Sequence, residues 1–286
     1  MIATVLVDNN SGRSGSCELQ GEWGLAIHIE YMGRNILLDT GASGLFAVNA
    51  DKLGIDISAV DLAVLSHAHW DHADGMDVFF SQNKIAPFYI SKNAGENCWT
   101  IQEDDKTPNG AGLKYDGIKQ GWLERYTDRI KYVGDCELFE GCHIVGHSTP
   151  GLEERGRKVG QYIMKDDGSL VPDNFAHEQS LVLETDRGLV IFNSCSHGGV
   201  DNIIREVEKA LHGHTAYAMI GGFHLFLDTE EEVRELAHRI AQVGIKRIIT
   251  GHCTGEEQYI WLKDELEKCD KDIIVEHMES GLRIEV

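Results

Sequence analysis

The chain has 286 residues, 42% hydrophobic and 26% charged, the balance of an ordinary soluble globular protein and long enough to bury a core without disulfide or metal staples. Disorder, collagen and coiled coil are poor readings of such a chain. With 47 acidic against 26 basic residues the formal charge is −21, a field that repels phosphate backbones and anionic lipid surfaces, so neither nucleic acid nor membrane is expected as a partner. No apolar run approaches the ~20 residues that span a bilayer, and residues 1–15 lack the basic-then-apolar order of a secretory leader. The seven cysteines are scattered, with no C-x-x-C pair. Together these features predict a reduced, cytoplasmic protein.

Residues 2–7 read as a strand. Residues 25–31 and 35–39 flank Met32-Gly33-Arg34, a hairpin connection with glycine available for a positive φ. Residues 60–66 form a nearly continuous apolar run, as in a strand buried on both faces. From about 91 to 176 the chain is rich in Gly, Asn, Asp and Lys and loses its periodicity. This predicts an irregular insertion with short strands, a wall or lid of a site and not a second core. Order returns at Ser180, where two apolar runs bracket Asp186-Arg187-Gly188 as a second hairpin.

A helix is predicted over 201–212, with Ile203, Ile204, Val207 and Leu211 on one face. After a strand at 215–220, Asp228 or Thr229 caps a helix opening with Glu230, Glu231 and Glu232, and Gly244 stops it. A strand, a helix over 256–268 and a last strand near 282–286 follow. The two ordered stretches share one plan, strands with helices outside. That suggests two sheets packed face to face with helices on both flanks, in a single domain over 1–286.

The informative feature is the placement of the 14 histidines. Ser66-His67-Ala68-His69-Trp70-Asp71-His72 is an H-x-H-x-D-H cluster just after the buried strand. At a strand end, side chains two apart point the same way, so His67 and His69 can grip one ion. A turn into a helix then sends Asp71 and His72 toward a second ion about 3.5–4 Å away. Imidazoles and a carboxylate suit zinc, iron or manganese. Four ligands cannot close two sites, so others must come from distant element ends. The candidates are His177, His197, His224 and His252, each at a strand terminus or a glycine-rich turn. His28, His143, His147, His212, His214, His238 and His277 lack that setting and read as surface or core residues.

On these residues the chain resembles the metallo-β-lactamase superfamily. The resemblance implies an α/β (α+β) fold, a four-layer αββα sandwich. Asp39-Thr40-Gly41 is similar to the aspartate-bearing turn that supports the histidine motif, which His67, His69, Asp71 and His72 match. His177 falls where the family supplies the third ligand of the first metal, and His252 where it supplies the last of the second. The family's bridging aspartate or cysteine falls at Cys195, with His197 two residues on; the sequence leaves open which of the two ligates. EWGLAIHIE, DTGASG, HEQSL, CSHGG, GGFHL and GHCTG resemble, over 1–80 and 172–260, a branch that holds metal-dependent hydrolases and a synthase of methanopterin assembly.

The implied cofactors are two divalent ions, zinc first, with iron or manganese as alternatives. The implied activity is hydrolysis of an ester or phosphoester of a small molecule. A metal-activated water would be oriented by Asp71, and His224 would contact substrate or protonate the leaving group. Thr254 and Gly255 would offer backbone N–H groups to a phosphate, with His197 and His224 as further substrate contacts. The alternative activity joins a dihydropterin diphosphate to an aminobenzene ribosyl phosphate, with Trp23, Trp70, Trp99 or Trp122 stacked on the pterin. A reading from another class is a di-iron redox or gas-sensing module.

Overall fold

Three apolar clusters set the layers in the computed structural model, which describes residues 1–102 and 112–286. The middle cluster takes Val5, Ile27, Ile36, Leu38 and Val64 from one sheet and Leu181, Leu183, Val190, Phe192, Ile220 and Ile249 from the other, so the two sheets share it face to face. Phe46, Met76, Phe79 and Phe80 close a second cluster over the outer face of the first sheet. Ile203, Val207, Val233, Leu236, Ile240, Leu262 and Leu266 close a third over the second sheet. The order is therefore helix, sheet, sheet, helix, the four-layer sandwich expected from the sequence. No helix among the described residues is long and apolar enough to cross a membrane.

The first seven-stranded sheet runs in the order Ile130–Val133, Phe88–Ser91, Leu62–Val64, Arg34–Leu38, Ala26–Tyr31, Ile2–Val7, Arg283–Glu285. The second runs Cys136–Phe139, Cys142–Gly146, Gln179–Thr185, Gly188–Phe192, Ala216–Gly222, Arg247–Gly251, Ile274–His277. Ala26–Tyr31 and Arg34–Leu38 form the first predicted hairpin, with Met32 and Gly33 both at positive φ (48° and 74°) as a two-residue turn of matching twist requires. Helix Glu230–Val243 has the predicted ends. Thr229 and Glu232 exchange hydrogen bonds in a capping box, and Gly244 closes the helix in the left-handed region.

The segment expected as one irregular insertion is divided. Cys98–Gln102, Gly112–Tyr115, Gln161–Met164 and Leu170–Pro172 make a separate four-stranded sheet. Ile130–Val133, Cys136–Phe139 and Cys142–Gly146 instead extend the edges of the two large sheets. Ile130–Val133 and Cys136–Phe139 lie at the edges and are only half-buried, so they carry little alternation to read. Residues 103–111 of that segment lie outside the described residues.

Arg34–Leu38, Leu62–Val64 and Phe88–Ser91 run parallel, as do Gly188–Phe192, Ala216–Gly222 and Arg247–Gly251. Their carboxyl ends deliver Asp39, the 66–72 turn, the 193–198 turn, His224 and His252 to one edge of the sandwich. Ligand sites in such sheets form at these ends, where chain segments from several strands converge.

Candidate metal centre

The 66–72 turn is held from below by one carboxylate. Asp39 accepts the Ser66 N–H at 2.7 Å on Oδ1, and on Oδ2 the Ser66 hydroxyl at 2.7 Å and the His72 Nδ1–H at 2.8 Å. The Ser66 oxygen in turn receives the Nδ1–H of His67 at 2.8 Å. His197 donates its Nδ1–H to Glu178 at 2.8 Å, and His252 donates its own to the Asn9 side-chain oxygen at 2.9 Å. In all four rings the proton is therefore on Nδ1 and the Nε2 lone pair faces inward, the arrangement of a metal-binding imidazole.

With His69 added, the inward nitrogens fall into two groups. The Nε2 atoms of His67, His69 and His197 are buried and without a hydrogen-bond partner among the described residues, that of His69 lying 3.9 Å from the Asp173 carboxylate. The ligand atoms of these three residues lie within 4.8 Å of one another. Leaving three such atoms unpaired would cost about 1–3 kcal/mol each, so the arrangement fits a cation. In the second group His72 Nε2 is 3.2 Å from His252 Nε2, and Asp71 Oδ2 is 3.6 Å from the first and 3.4 Å from the second. Donors about 2.0–2.1 Å from one tetrahedral ion stand about 3.3 Å apart, so this group fits as well. The Cys195 sulfur lies 3.3 Å from His72 Nε2 and within 4.8 Å of a ligand atom of His67, which puts it between the groups.

His177, which the family resemblance pairs with the first ion, has both ring nitrogens engaged: its Nδ1 receives the Ala68 N–H at 3.1 Å, which leaves the proton on Nε2, and that nitrogen donates to Asp173 at 3.0 Å. Its ligand atom also belongs, with those of His69, Cys98 and Asp173, to a buried set within 4.8 Å of one another. Thr254 differs too. It is fully buried, its hydroxyl accepts the Phe223 N–H at 3.0 Å and pairs with the Thr250 hydroxyl, and it does not line the cavity. Glu178, Asn9 and Asp173 were not singled out from the sequence. Only the adjacency of Glu178 to His177 offered any signal.

The electrostatics suit a cation. Burial raises the Asp71 carboxyl, but His72 and His252 outweigh it and hold it well below the usual carboxylate range. Burial likewise raises Glu178, and His197 brings it down to about 2. Burial lowers His197 to about 4 against the pull of Glu178, and drives His67 and His224 well below the ordinary imidazole value. His69 and His252 go the other way, because Asp173 and Cys98 outweigh burial and carry the first well above the ordinary imidazole value, and Cys253 and Asp71 carry the second up to about 9. The raised value of His252 records the negative potential of the Asp71 and Asp8 carboxylates and the Cys253 sulfur around it. Glu178→Ala is expected to weaken metal binding about 10–100-fold, read by competition with a chromophoric chelator.

Backbone strain collects at the same place. Asp39, Ser196, His224 and His252 have φ of 58°, 54°, 50° and 49°, conformations that non-glycine residues hold only when their surroundings over-determine them. Asp39 is held by its own network and His252 by the Asp8 carboxylate, which accepts its N–H at 2.8 Å, while the Ser196 N–H donates to the Asn193 side chain at 2.7 Å and the His224 N–H to the Cys253 sulfur at 3.2 Å.

The donors open on a cavity of about 580 Å³. His69, Asp71, Cys195, His197, His224 and His252 form its floor, and Thr100, Lys114, Asp116 and Gln161 come from the small sheet and the chain beside it. Trp23 and Trp70 line it, whereas Trp122 packs in the first outer core and Trp99 against Tyr115. The Nδ1 of His224 is buried with no hydrogen-bond partner among the described residues. A larger cleft of about 840 Å³ beside helix Leu45–Leu53 has no histidine or cysteine in its lining.

The profile of the metallo-beta-lactamase superfamily matches residues 24–252, and the chain belongs to that superfamily. It is 28% identical over 237 residues, 80% of this chain and 79% of the relative, to a 7,8-dihydropterin-6-methyl-4-(beta-D-ribofuranosyl)-aminobenzene-5'-phosphate synthase of Methanocaldococcus jannaschii. Among solved structures it is similar to Tm1679, a metal-dependent hydrolase of the beta-lactamase superfamily, with a TM-score of 0.81 and 26% identity over 100% of this chain and 99% of the other. The short form of human tRNase Z shares the fold, at a TM-score of 0.51 and 12% identity over 100% and 99% of the two chains.

Proposed function

We propose that the protein is a metal-dependent hydrolase of a small phosphoester. Its first ion would be held by Nε2 of His67, His69 and His197, and its second by Asp71, His72 and His252, with Cys195 between them. The observation that carries this reading is the trio of buried Nε2 atoms without a hydrogen-bond partner among the described residues, with the rings of His69 and His197 lining an open cavity and that of His67 beneath them. Three imidazoles leave a coordination position free, as catalytic zinc sites do, and the mixed N, O and S donors favour zinc. When bound, such ions lower the pKa of water toward 7 and neutralise charge developing on phosphoryl oxygens.

The chain's own groups do the positioning. The ionised Asp71 carboxylate accepts a hydrogen bond from the attacking water and so aims its lone pair at phosphorus. His224, through the unpartnered Nδ1, hydrogen-bonds the leaving oxygen. Lys114 supplies positive charge at the wall, and Trp23, Phe226 and Leu227 keep bulk water from the mouth. The wall drawn from residues 91–176 sets which ester is accepted.

The test is turnover of bis-p-nitrophenyl phosphate by the zinc-loaded protein. His69→Ala and Asp71→Ala should each lower it by more than about 100-fold, since losses of outer supporting groups alone reach about that size. Absence of turnover with every phosphoester offered would overturn the hydrolase reading. A second reading, transfer of a dihydropterin to an aminobenzene ribosyl phosphate, is supported by the likeness to the synthase and by Trp23 and Trp70 at the cavity. Tight pterin binding without ester turnover would favour it.

A further inference from the structure

We infer that Cys253 is a second thiolate donor beside Cys195, so that the second ion position takes a thiophilic cation. The inference rests on the metal reading above and concerns a residue that neither the sequence motif nor the superfamily likeness singled out.

Cys253 follows His252 directly, and both are buried. Its sulfur lies 3.4 Å from that of Cys195 and belongs, with Cys195 and His252, to a set of ligand atoms within 4.8 Å of one another. Two sulfurs about 2.3 Å from one tetrahedral ion stand about 3.8 Å apart, so the observed spacing needs little adjustment. Both cysteines line the cavity floor, within reach of an entering ion.

Two further features are not those of a space-filling cysteine. The backbone N–H of His224 donates to the Cys253 sulfur at 3.2 Å, a contact that favours the anionic form over the thiol. The chain is also pared away to admit that sulfur. A Cβ on Gly222 would lie 2.6 Å from it and 2.6 Å from the Ser194 carbonyl oxygen, so any larger residue would push the two cysteines apart. The positive φ of His252 turns its ring toward Asp71 and His72 while Cys253 meets Cys195. Thiolates select zinc, cadmium or cuprous copper over manganese or magnesium.

The experiment is a titration of the chelator-stripped full-length protein with cadmium alone, read by the ultraviolet thiolate-to-cadmium absorption. In a Cys98→Ser background, which removes the thiol beside His69 and His177, Cys195→Ser and Cys253→Ser should each lower the amplitude by about half, and the variant lacking both should abolish it. Cys142→Ser, buried between the sheets away from the centre, should leave it unchanged. Because a buried serine can itself destabilise, Gly222→Ala serves as a second variant. It keeps both thiols, displaces that of Cys253, and should lower the band as well. Full amplitude in both Cys253→Ser and Gly222→Ala, with a reduced band in Cys195→Ser, overturns the role of Cys253 alone. No cadmium bound by the unchanged protein overturns the metal reading itself.

Discussion

His197→Ala should cost the protein one equivalent of zinc and lower phosphodiester turnover by more than about 100-fold, whereas His177→Ala should keep the full metal count. Elemental analysis after dialysis, run beside the turnover assay, separates the two. The expectation comes from where each ring carries its proton. Glu178 takes the Nδ1–H of His197, so its Nε2 is a bare lone pair facing those of His67 and His69. Ala68 places its N–H on Nδ1 of His177, so the Nε2 of that ring carries the proton and gives it to Asp173. For His177 to bind an ion through Nε2, the ring would have to lose its only remaining proton. His177→Ala should instead destabilise the fold by about 1–3 kcal/mol, because it leaves the buried Asp173 carboxylate without this partner; the urea midpoint reads that loss. Loss of an ion from His177→Ala with a full complement in His197→Ala would reverse the assignment.

Asp39 is the residue whose replacement should do most damage among those that touch no ion. Its carboxylate orients His72 directly and His67 through Ser66, and so sets one donor in each group. Asp39→Ala leaves a backbone N–H, a hydroxyl and an imidazole N–H in a fully buried site without their acceptor. A loss of about 3 kcal/mol in folding stability is expected, with metal affinity down about 10–100-fold at both positions. Asp39→Asn separates the two effects. The amide oxygen can still accept the Ser66 N–H, but the NH₂ group then faces His72 Nδ1 and the Ser66 hydroxyl, and so favours the Nε2-protonated tautomer of His72 directly and of His67 through Ser66. This variant should lie closer to the unchanged protein in urea while binding both ions weakly. Chelator competition giving unchanged affinity for Asp39→Asn would show that the His72 tautomer is not what the aspartate controls.

Much of the molecule was legible in one dimension because its signals are local. The hairpin around Met32 and Gly33 and the helix from Glu230 to Gly244 follow from a few residues each, through φ preferences, capping and 3.6-residue periodicity. The short strands from 130 to 146 were not legible as parts of the large sheets. The outer pair are edge strands whose side chains are only partly buried: Ile130–Val133 pairs with Phe88–Ser91, and Cys136–Phe139 joins the second sheet only through Cys142–Gly146, whose other partner is Gln179–Thr185. Within the candidate centre, His67, His69, Asp71 and His72 could be gathered from sequence because a strand end and a single turn fix their relative directions.

What the sequence by itself determined was therefore the existence of a histidine-rich turn, the layered α/β scaffold that carries it, and a short set of distant histidines able to join it. The tertiary structure decided what each of those histidines meets. It set His177 against Asp173 and His197 beside His67 and His69, and it brought Cys253 against Cys195. The physical reason is that an imidazole's usefulness depends on which nitrogen holds the proton. The partners that settle this, Ala68 for His177, Asn9 for His252 and Asp39 for His72, lie 33 to 243 residues away in the chain. No local pattern encodes such a pairing; only the folded backbone brings each donor to its acceptor.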